Sequence, residues 1–592
     1  MIFIDTKPTW RSLLLLLVTT ATVYLLGLGI SEIRFSDEAL LGAFAQDFAA
    51  GNSFFKTLIY GHRVPGFPLY SWCIVLCSLF RQPNPFTLRL PAVLSLFALA
   101  ISSGIMARKV QSSYAGLIAT AVTLTSVLSF RTALTAHNDM VVSALLSIAW
   151  YITYLQGWKA HRWWLAWGLA LLLVLLASFG TGVKAIIIFY APYFFMGHRL
   201  RSVDFLQSRP HLFFCFLLTL CLSLWIYYIP EQPFMPWNAL SVVRSPESLG
   251  SYCRHLVSML PKILCYLFPW TFLAWAPFCL ALRQFEHETY ACRFLRAIVV
   301  TNAVIFWLMP GGSPLHLLPV FGPMAVLIGV YSEIVIRRYK DFFGWLLTIS
   351  NRLCFLIACL LCLFWAATFV NVVHFDDFSQ TNSIFCLLCA LSTAVTTGFL
   401  LFNPKKASSF RTMLLLSIFG WAILDVSTIS VIRHCHNMNR EISGMTLACH
   451  ADDIPMLASN AFGYLRPAPL KETMEKEDIS KIYLVLSNGK QRNATLVETF
   501  YMQAPIRQIS DLATELPDQE RVVFLLSPFL PADTKREWTS LSKHAPLGTR
   551  RNVSLAIQGT RPLLDFHAEM LPPQKTYQGL PELKLYRGEL KK

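Results

Sequence analysis

The chain has 592 residues, 55% of them hydrophobic and only 14% charged, an apolar excess that rules out an ordinary water-soluble protein. Its 50 Lys and Arg against 34 Asp and Glu give a net charge of +16, which points to nucleic acid only if the cations sit on a soluble surface. A membrane protein acquires the same sign from basic cytoplasmic loops.

The first long apolar run, Leu13 to Ile30, follows Lys7 and Arg11 without a small-residue cleavage site and reads as a retained transmembrane helix. Further spans are expected near 68–80 or 88–107 (one of which crosses), 111–130, 140–157, 163–178, 184–197, 211–229, 259–282, 297–309, 315–335, 353–371, 382–402 and 412–432, about thirteen in all. Most of the 15 Cys lie in these runs, and Cys359/Cys362 and Cys386/Cys389 enclose Leu-Leu, so the thiols read as small hydrophobes.

Basic residues provide an independent check. With the N-terminus inside, Arg108/Lys109, Lys159/Arg162, Arg199/Arg201/Arg209, Arg283/Arg293/Arg296, Arg337/Arg338/Lys340 and Lys405/Lys406/Arg411 all fall in inside turns. Every second connection is basic. The other side receives segments 31–67 and 231–258, the tight turns near 131–139, 179–184 and 310–316, and the C-terminal tail.

Beyond Ile432 the composition turns charged and proline-containing, with strand-like runs Ile482 to Ser487 and Arg521 to Ser527 and a helical pattern at Lys535 to His544. The expected fold is therefore a polytopic all-α membrane protein, residues 1–432, followed by a soluble α/β domain, residues 433–592, on the outer face. Segment 31–67 carries amphipathic helical pattern, beginning at Ala39 to Ala50. Cys435 and Cys449 form a disulfide there, remain free thiols, or join His434, His436 and His450 at a metal. Asn493-Ala494-Thr495 and Asn552-Val553-Ser554 match the glycosylation sequon, which carries little weight in a bacterial chain.

Ionisable residues near membrane depth are functional candidates, because the bilayer penalises charge. Four places on the outer face carry them. Asp37 and Glu38 follow Ser36 after the first span, either as first-turn acids favoured by the helix dipole or as a reactive carboxylate pair. Asp139, at the start of a span after His137-Asn138, is an interfacial cap or a second acid. Lys184 follows Gly180-Thr181-Gly182 and either snorkels or holds a phosphate as a compact point charge; the glycine spacing is no P-loop. His316, in Pro314-Leu315-His316-Leu317-Leu318-Pro319, is a satisfied interfacial histidine or a donor to substrate. His62, Arg63, Tyr70, Arg244, Arg254 and His255 add polar groups on the same side. Carboxylates to orient or deprotonate a nucleophile, with cations to stabilise a leaving phosphate, suit a phosphate-bearing amphiphile. A transporter would instead place charges at the midplane of broken, repeat-paired helices.

Asp37-Glu38, Gly66-Phe67-Pro68-Leu69-Tyr70-Ser71-Trp72, Arg89-Leu90-Pro91-Ala92, Arg131 through Asp139-Met140, Lys184, Phe268-Pro269-Trp270 and Pro314 to Pro319 occur in one order along residues 1–335. Together they resemble the bacterial polyprenyl-phosphate-sugar glycosyltransferases of the GT-C fold, in the protein-mannosyltransferase-like superfamily, nearest to the lipid A aminoarabinose transferase (ArnT-like) group. The resemblance implies a multi-pass protein of the bacterial inner membrane with its C-terminal domain periplasmic. It also implies an inverting enzyme that moves a sugar from a polyprenyl-phosphate donor to a lipid, glycan or protein acceptor. Lipid A or another lipid or glycan is the favoured acceptor, and a protein hydroxyl is the alternative. Carried over by motif, Asp37 is the central carboxylate, Glu38 its neighbour, Asp139 a supporting acid and Lys184 the phosphate ligand. His316 stands where the family has Tyr before Leu-Leu-Pro. The family's Glu-Lys-Pro is replaced by Gly66-Phe67-Pro68 or Arg63-Val64-Pro65, leaving Arg63 or His62 as substitutes, and its His three residues before Arg becomes Ser241 before Arg244. Those losses remove metal ligands, so no metal or other cofactor is expected. A monomer without nucleic-acid partners is expected. A lipid-linked sugar flippase and a noncatalytic scaffold are the rival classes.

Overall fold

The computed structural model describes residues 10–28, 36–49, 58–59, 62–63, 67–79, 83–196, 205–228, 249–267, 270–309, 314–338 and 340–369, scattered positions from 384 to 398, and strands between 482 and 590. Chain contacts separate two units: residues 1–31, 65–73 and 89–432, and residues 32–64, 74–88 and 433–592.

The first unit is helical. It contains α1 (Trp10–Leu28), most of α3 (Leu69–Cys77) and α4 (Pro85–Val110), then α5 (Ser113–Thr125), α6 (Val127–Ala133), α7 (Asn138–Ile152), α8 (Trp163–Thr181) and α9 (Val183–Met196). It continues through α10 (Arg209–Tyr228), α11 (Leu249–Tyr266), the short α12 (Thr271–Ala274) and α13 (Leu280–Arg283), then α14 (Thr289–Leu308), α15 (Leu318–Arg338) and α16 (Lys340–Phe369). Among the described residues six helices are long and apolar enough to cross a bilayer, in α4, α7 with its extension, α8, α10, α14 and α15, or seven if the bent pair α5–α6 is one span. The choice between 68–80 and 88–107 falls on the second, since α3 has nine residues and Phe86–Val110 has 25.

Two expected spans change. The run 259–282 is broken into the end of α11, α12, a 3-10 turn at Ala276–Phe278 and α13, because Pro269 and Pro277 each lack the N–H that a continuing helix requires. The run 297–309 is the second half of a longer helix, α14, whose first half carries Arg293 and Arg296. Arg296 was expected in an inside turn; it is buried in α14 instead, its Nη1 2.5 Å from Glu286 Oε1. The ion pair lets a helix that hydropathy alone starts late begin a full two turns earlier. The expected span 412–432 lies outside the described residues, and 382–402 largely so.

Helix α15 is the axis of this unit. Its apolar window is wholly buried, and α5, α7 and α14 pack around it. Small residues set the approach: a methyl group on Gly329 would meet the Ala115 carbonyl oxygen at 2.5 Å, so α15 and α5 touch backbone to side. On the outside, α10 exposes Leu212, Phe213, Phe216, Leu217, Leu220 and Leu224, an apolar face suited to lipid. Ser112 caps α5, accepting from the backbone N–H of Tyr114 and Ala115 at 3.0 and 3.3 Å while donating to Glu333 of α15. Arg89, buried in α4, donates to the carbonyl of Leu28 at 3.1 Å and so caps the C-terminus of α1.

The basic turns meet at one end of the bundle. Lys159, closing a π-helical extension of α7, lies 2.8 Å from Glu288 and 3.4 Å from the carbonyl of Lys109. The N–H of His287 donates to Gln111 at 3.2 Å, and the Arg338 guanidinium stands 4.1 Å over the Phe285 ring. Connections at 109–111, 159 and 285–288 and the end of α15 thus share one side, the arrangement the alternating charge pattern requires.

In the second unit, α2 (Ser36–Ala49) packs on a small antiparallel hairpin, β1 (Leu58–Ile59) with β2 (His62–Arg63), in register Leu58 to Arg63 and Ile59 to His62. The helical pattern from Ala39 is thus realised, and a hairpin follows it. The tail contributes β3 (Ile482–Val485), β4 (Ile506–Ile509), β5 (Val523–Ser527), β6 (Asn552–Ser554), β7 (Phe566–Met570) and β8 (Lys584–Leu590). They form one sheet in the order β4-β3-β5-β8-β7-β6. Strands β3, β4 and β5 are mutually parallel, and the remaining pairings are antiparallel. The two strand-like runs at 482 and 521 become β3 and β5, the interior parallel pair, which explains their continuous apolar character. The helical pattern at Lys535 to His544 and the Cys435/Cys449 pair lie outside the described residues.

Candidate functional site

The end of the bundle opposite the basic turns holds a polar group built at a helix break. Helix α8 stops because Gly182 adopts φ +65° and ψ −145°, a conformation open to glycine and closed to side-chain-bearing residues, while its N–H still reaches Ser178 O at 2.8 Å. The chain re-enters α9 one residue later and presents Lys184 from its first turn. The proline-containing segment before α3 packs on this break: a methyl on Gly182 would meet the Phe67 ring at 3.1 Å, one on Gly180 would meet Leu69 at 3.0 Å, and Trp72 lies 5.4 Å from the ring of Phe179. Asn138, the first residue of α7, donates to the carbonyl of Gly180 and ties a second helix to the same turn.

His316 arrives from another direction, in the 3-10 turn Pro314–Leu317 that precedes α15. Lys184 Nζ lies 2.9 Å from His316 Nδ1. An ammonium only donates, so Nδ1 accepts and the neutral ring carries its hydrogen on Nε2. The Phe306 ring lies under both: His316 is nearly parallel to it at 6.1 Å and 28°, and Lys184 Nζ is 5.5 Å from its centroid. The Asp139 carboxylate also acts electrostatically on the His316 ring. Asp139 is half-buried in the first turn of α7, and Ser143 Oγ donates to its carbonyl at 2.5 Å. The arrangement thus offers two kinds of donor, the remaining ammonium hydrogens of Lys184 and the Nε2–H of His316, beside a carboxylate.

An apolar cavity of about 420 Å³ adjoins this group. Leu317, next to His316, and Trp307, next to Phe306, line its wall together with Leu128, Tyr266, Val320 and Met324. Helix α11 roofs this end, pinned to α14 where Tyr252 donates to Leu308 O at 2.7 Å and Trp307 Nε1 donates to Leu256 O at 3.0 Å. With Arg254 and Lys262 on an otherwise apolar helix, α11 has the composition of an interfacial element.

Of the residues selected from the sequence, Asp139, Lys184 and His316 come together. Tyr70 is fully buried in α3. Asp37 is the second residue of α2, in which Glu38 is buried, and His62 and Arg63 form β2. These four belong to the second unit. Arg244 lies outside the described residues. Phe306, Asn138 and the cavity wall escaped selection. Phe306 is one apolar position in an apolar helix, and only its placement under Lys184 and His316 distinguishes it. Asn138 had a visible signal, a polar side chain beside Asp139 at membrane depth. Among the described residues no three His, Cys, Asp or Glu side chains converge as a metal-binding set.

No family model matches the chain, and no curated protein matches it by sequence. Its fold has counterparts in solved structures. The crystal structure of ArnT from Cupriavidus metallidurans bound to undecaprenyl phosphate superposes with a TM-score of 0.64 at 12% identity, covering 98% of each chain. The apo structure of ArnT from the same organism gives 0.60, also at 12% identity, over 97% of each. Full coverage of both chains at this similarity shows that the protein has the ArnT-like GT-C fold of a multi-pass membrane protein.

Proposed function

We propose that the protein is an inverting glycosyltransferase of the bacterial inner membrane, which moves a sugar from a polyprenyl-phosphate donor to an acceptor on the periplasmic side, with a lipid or glycan favoured as acceptor. The observation that carries this reading is the Lys184–His316 donor pair, with its N–O-seeking hydrogens, standing beside an apolar cavity of about 420 Å³. A phosphate head with a long hydrocarbon tail needs both parts side by side, and a water-soluble sugar nucleotide needs no such cavity. The solved relative of the same fold is bound to undecaprenyl phosphate, which supports the same class of donor here.

In this reading the acceptor oxygen attacks the anomeric carbon as the bond from that carbon to the phosphate oxygen breaks. The bonding pair passes to the polyprenyl phosphate, whose growing charge meets the Lys184 ammonium and the His316 Nε2–H. A hydroxyl acceptor gives its proton to Asp37, acting as general base; an anionic phosphate acceptor has none to give, and Asp37 then orients it. Glu38 and Asp139 support the acidic side of the site, and Arg63, His62 and Arg244 are further polar contacts to substrate. Fixed donors aimed at a developing charge are each worth ~10² to 10³ in rate, so much of the acceleration resides in positioning.

The test is turnover of a polyprenyl-phosphate sugar by membranes containing the wild type, Asp37→Asn or Lys184→Ala. Both variants should lose transfer. Wild-type rates in both, with protein folded and present at equal amounts, overturn the site. Mass spectrometry of envelope lipids, glycans and proteins with and without the gene identifies the sugar and acceptor together; export of a lipid-linked sugar with no new glycosidic bond would favour the flippase.

A further inference from the structure

A second cation stands at the same cavity. Arg131, in the last turn of α6, donates from Nη1 to the hydroxyl of Tyr266 at 2.5 Å, and its guanidinium carbon is 5.7 Å from the Tyr266 ring centre. Tyr266 lines the cavity, and Leu128, three residues before Arg131 and on the same helix face, lines it too. The guanidinium is exposed, and among the described residues it makes no ion pair with a carboxylate. Tyr266 occupies one of five N–H donors. The hydroxyl of Tyr266 could be held by any neutral donor, so the charge and the remaining planar fork of Arg131 are left over from that task.

Charge placement makes the surplus informative. An arginine at the lip of an apolar cavity, with no acidic partner, is satisfied by an anion that arrives with a hydrocarbon chain, since the chain fills the cavity and the fork accepts two oxygens of a phosphate. Lysine would give only a point charge. We infer that Arg131 is a phosphate-binding residue of this cavity, held in position by Tyr266, and that it selects phosphorylated over neutral polyprenyl chains. The ligand class rests on the function proposed above, whereas the role of Arg131 rests on the clasp with Tyr266.

The experiment measures binding to the purified full chain in lipid nanodiscs of two probes of equal length, a polyprenyl monophosphate and the corresponding polyprenol. Wild type should prefer the phosphate. Arg131→Ala should weaken the phosphate about tenfold, the scale of one lost charge-assisted contact, and leave the alcohol unchanged. Arg131→Lys should retain part of the preference, and Tyr266→Phe, which keeps the ring and frees the guanidinium, should lose less than Arg131→Ala. Equal phosphate binding by Arg131→Ala and wild type overturns the inference, as does an equal loss of both probes, which would make Arg131 a packing residue. Arg131→Gln gives the same reading if the alanine variant does not fold. Because this is a binding measurement, it separates from turnover: absence of sugar transfer with Arg131-dependent selection intact refutes the transferase alone, and transfer without that selection refutes only the role of Arg131.

Discussion

Lys184 Nζ and His316 Nδ1 lie 2.9 Å apart although 132 residues separate them. The hydrogen bond assigns each a state: a charged lysine, and an imidazole whose remaining hydrogen points away on Nε2. Two substitutions divide these roles. His316→Phe keeps an aromatic ring over Phe306 and removes both nitrogens, so Lys184 loses its acceptor and the site loses a donor. His316→Gln retains an amide donor near the position of Nε2. The expected order of kcat is wild type, then His316→Gln, then His316→Phe, with the last reduced by ~10² to 10³ and Lys184→Ala at least as low. Steady-state kinetics with a polyprenyl-phosphate sugar measure this order, and a phenylalanine variant as fast as wild type would show that His316 only supports the fold.

Gly182 sets the direction of Lys184. At φ +65° and ψ −145° a side chain is strained, and an added methyl would also stand 3.1 Å from the Phe67 ring. Gly182→Ala should destabilise the protein by about 1 to 3 kcal/mol, the usual strain of such a conformation. It should reduce turnover further by turning α9, so kcat falls even at temperatures where the variant is folded. Thermal unfolding in detergent gives the first effect and kinetics below the transition the second. A Tm equal to wild type would mean that the α8–α9 break relaxes freely.

Which of these features could be read before the fold was known follows from range. Helices such as Trp163–Thr181 and Arg209–Tyr228 are local apolar runs, and hydropathy found them within a few residues. Lys184, His316 and Asp139 were visible because charge is rare at membrane depth. Their meeting was not, since it depends on Gly182 breaking α8 and on a 3-10 turn placing His316 over Phe306. Where proline interrupts an apolar run, as at Pro269 and Pro277, hydropathy saw a span and the backbone made short pieces. Arg296 shows the converse. A charge-based rule placed it in a loop, but Glu286, ten residues earlier, neutralises it inside the bundle.

The cavity makes a prediction about chain length. Ala303 lines its wall, and Ala303→Phe places a ring in space that the proposed donor tail occupies. KM for a long polyprenyl-phosphate sugar should rise several-fold, about what a few lost methylene contacts at ~0.8 kcal/mol each would produce. A donor with a tail too short to reach the wall should be used as before. Equal effects on both donors would mean that the tail lies elsewhere.

The Glu286–Arg296 pair tests how the opposite end of the bundle is held. Arg296 Nη1 donates to Glu286 Oε1 and to the Tyr331 hydroxyl at 2.5 Å each, and Tyr331 donates to the same carboxylate, so one network joins the chain before α14 to the central helix α15. Side-chain exposure is 0% for Glu286 and 10% for Arg296, so removing one partner strands a charge away from water. Arg296→Met alone should destabilise by about 3 to 5 kcal/mol, whereas Arg296→Met with Glu286→Leu should recover most of that loss, because no unpaired ion then remains. A double-mutant cycle by thermal unfolding in detergent measures the difference. Additive losses would mean that the two residues stabilise the bundle independently, in conflict with the geometry of the network.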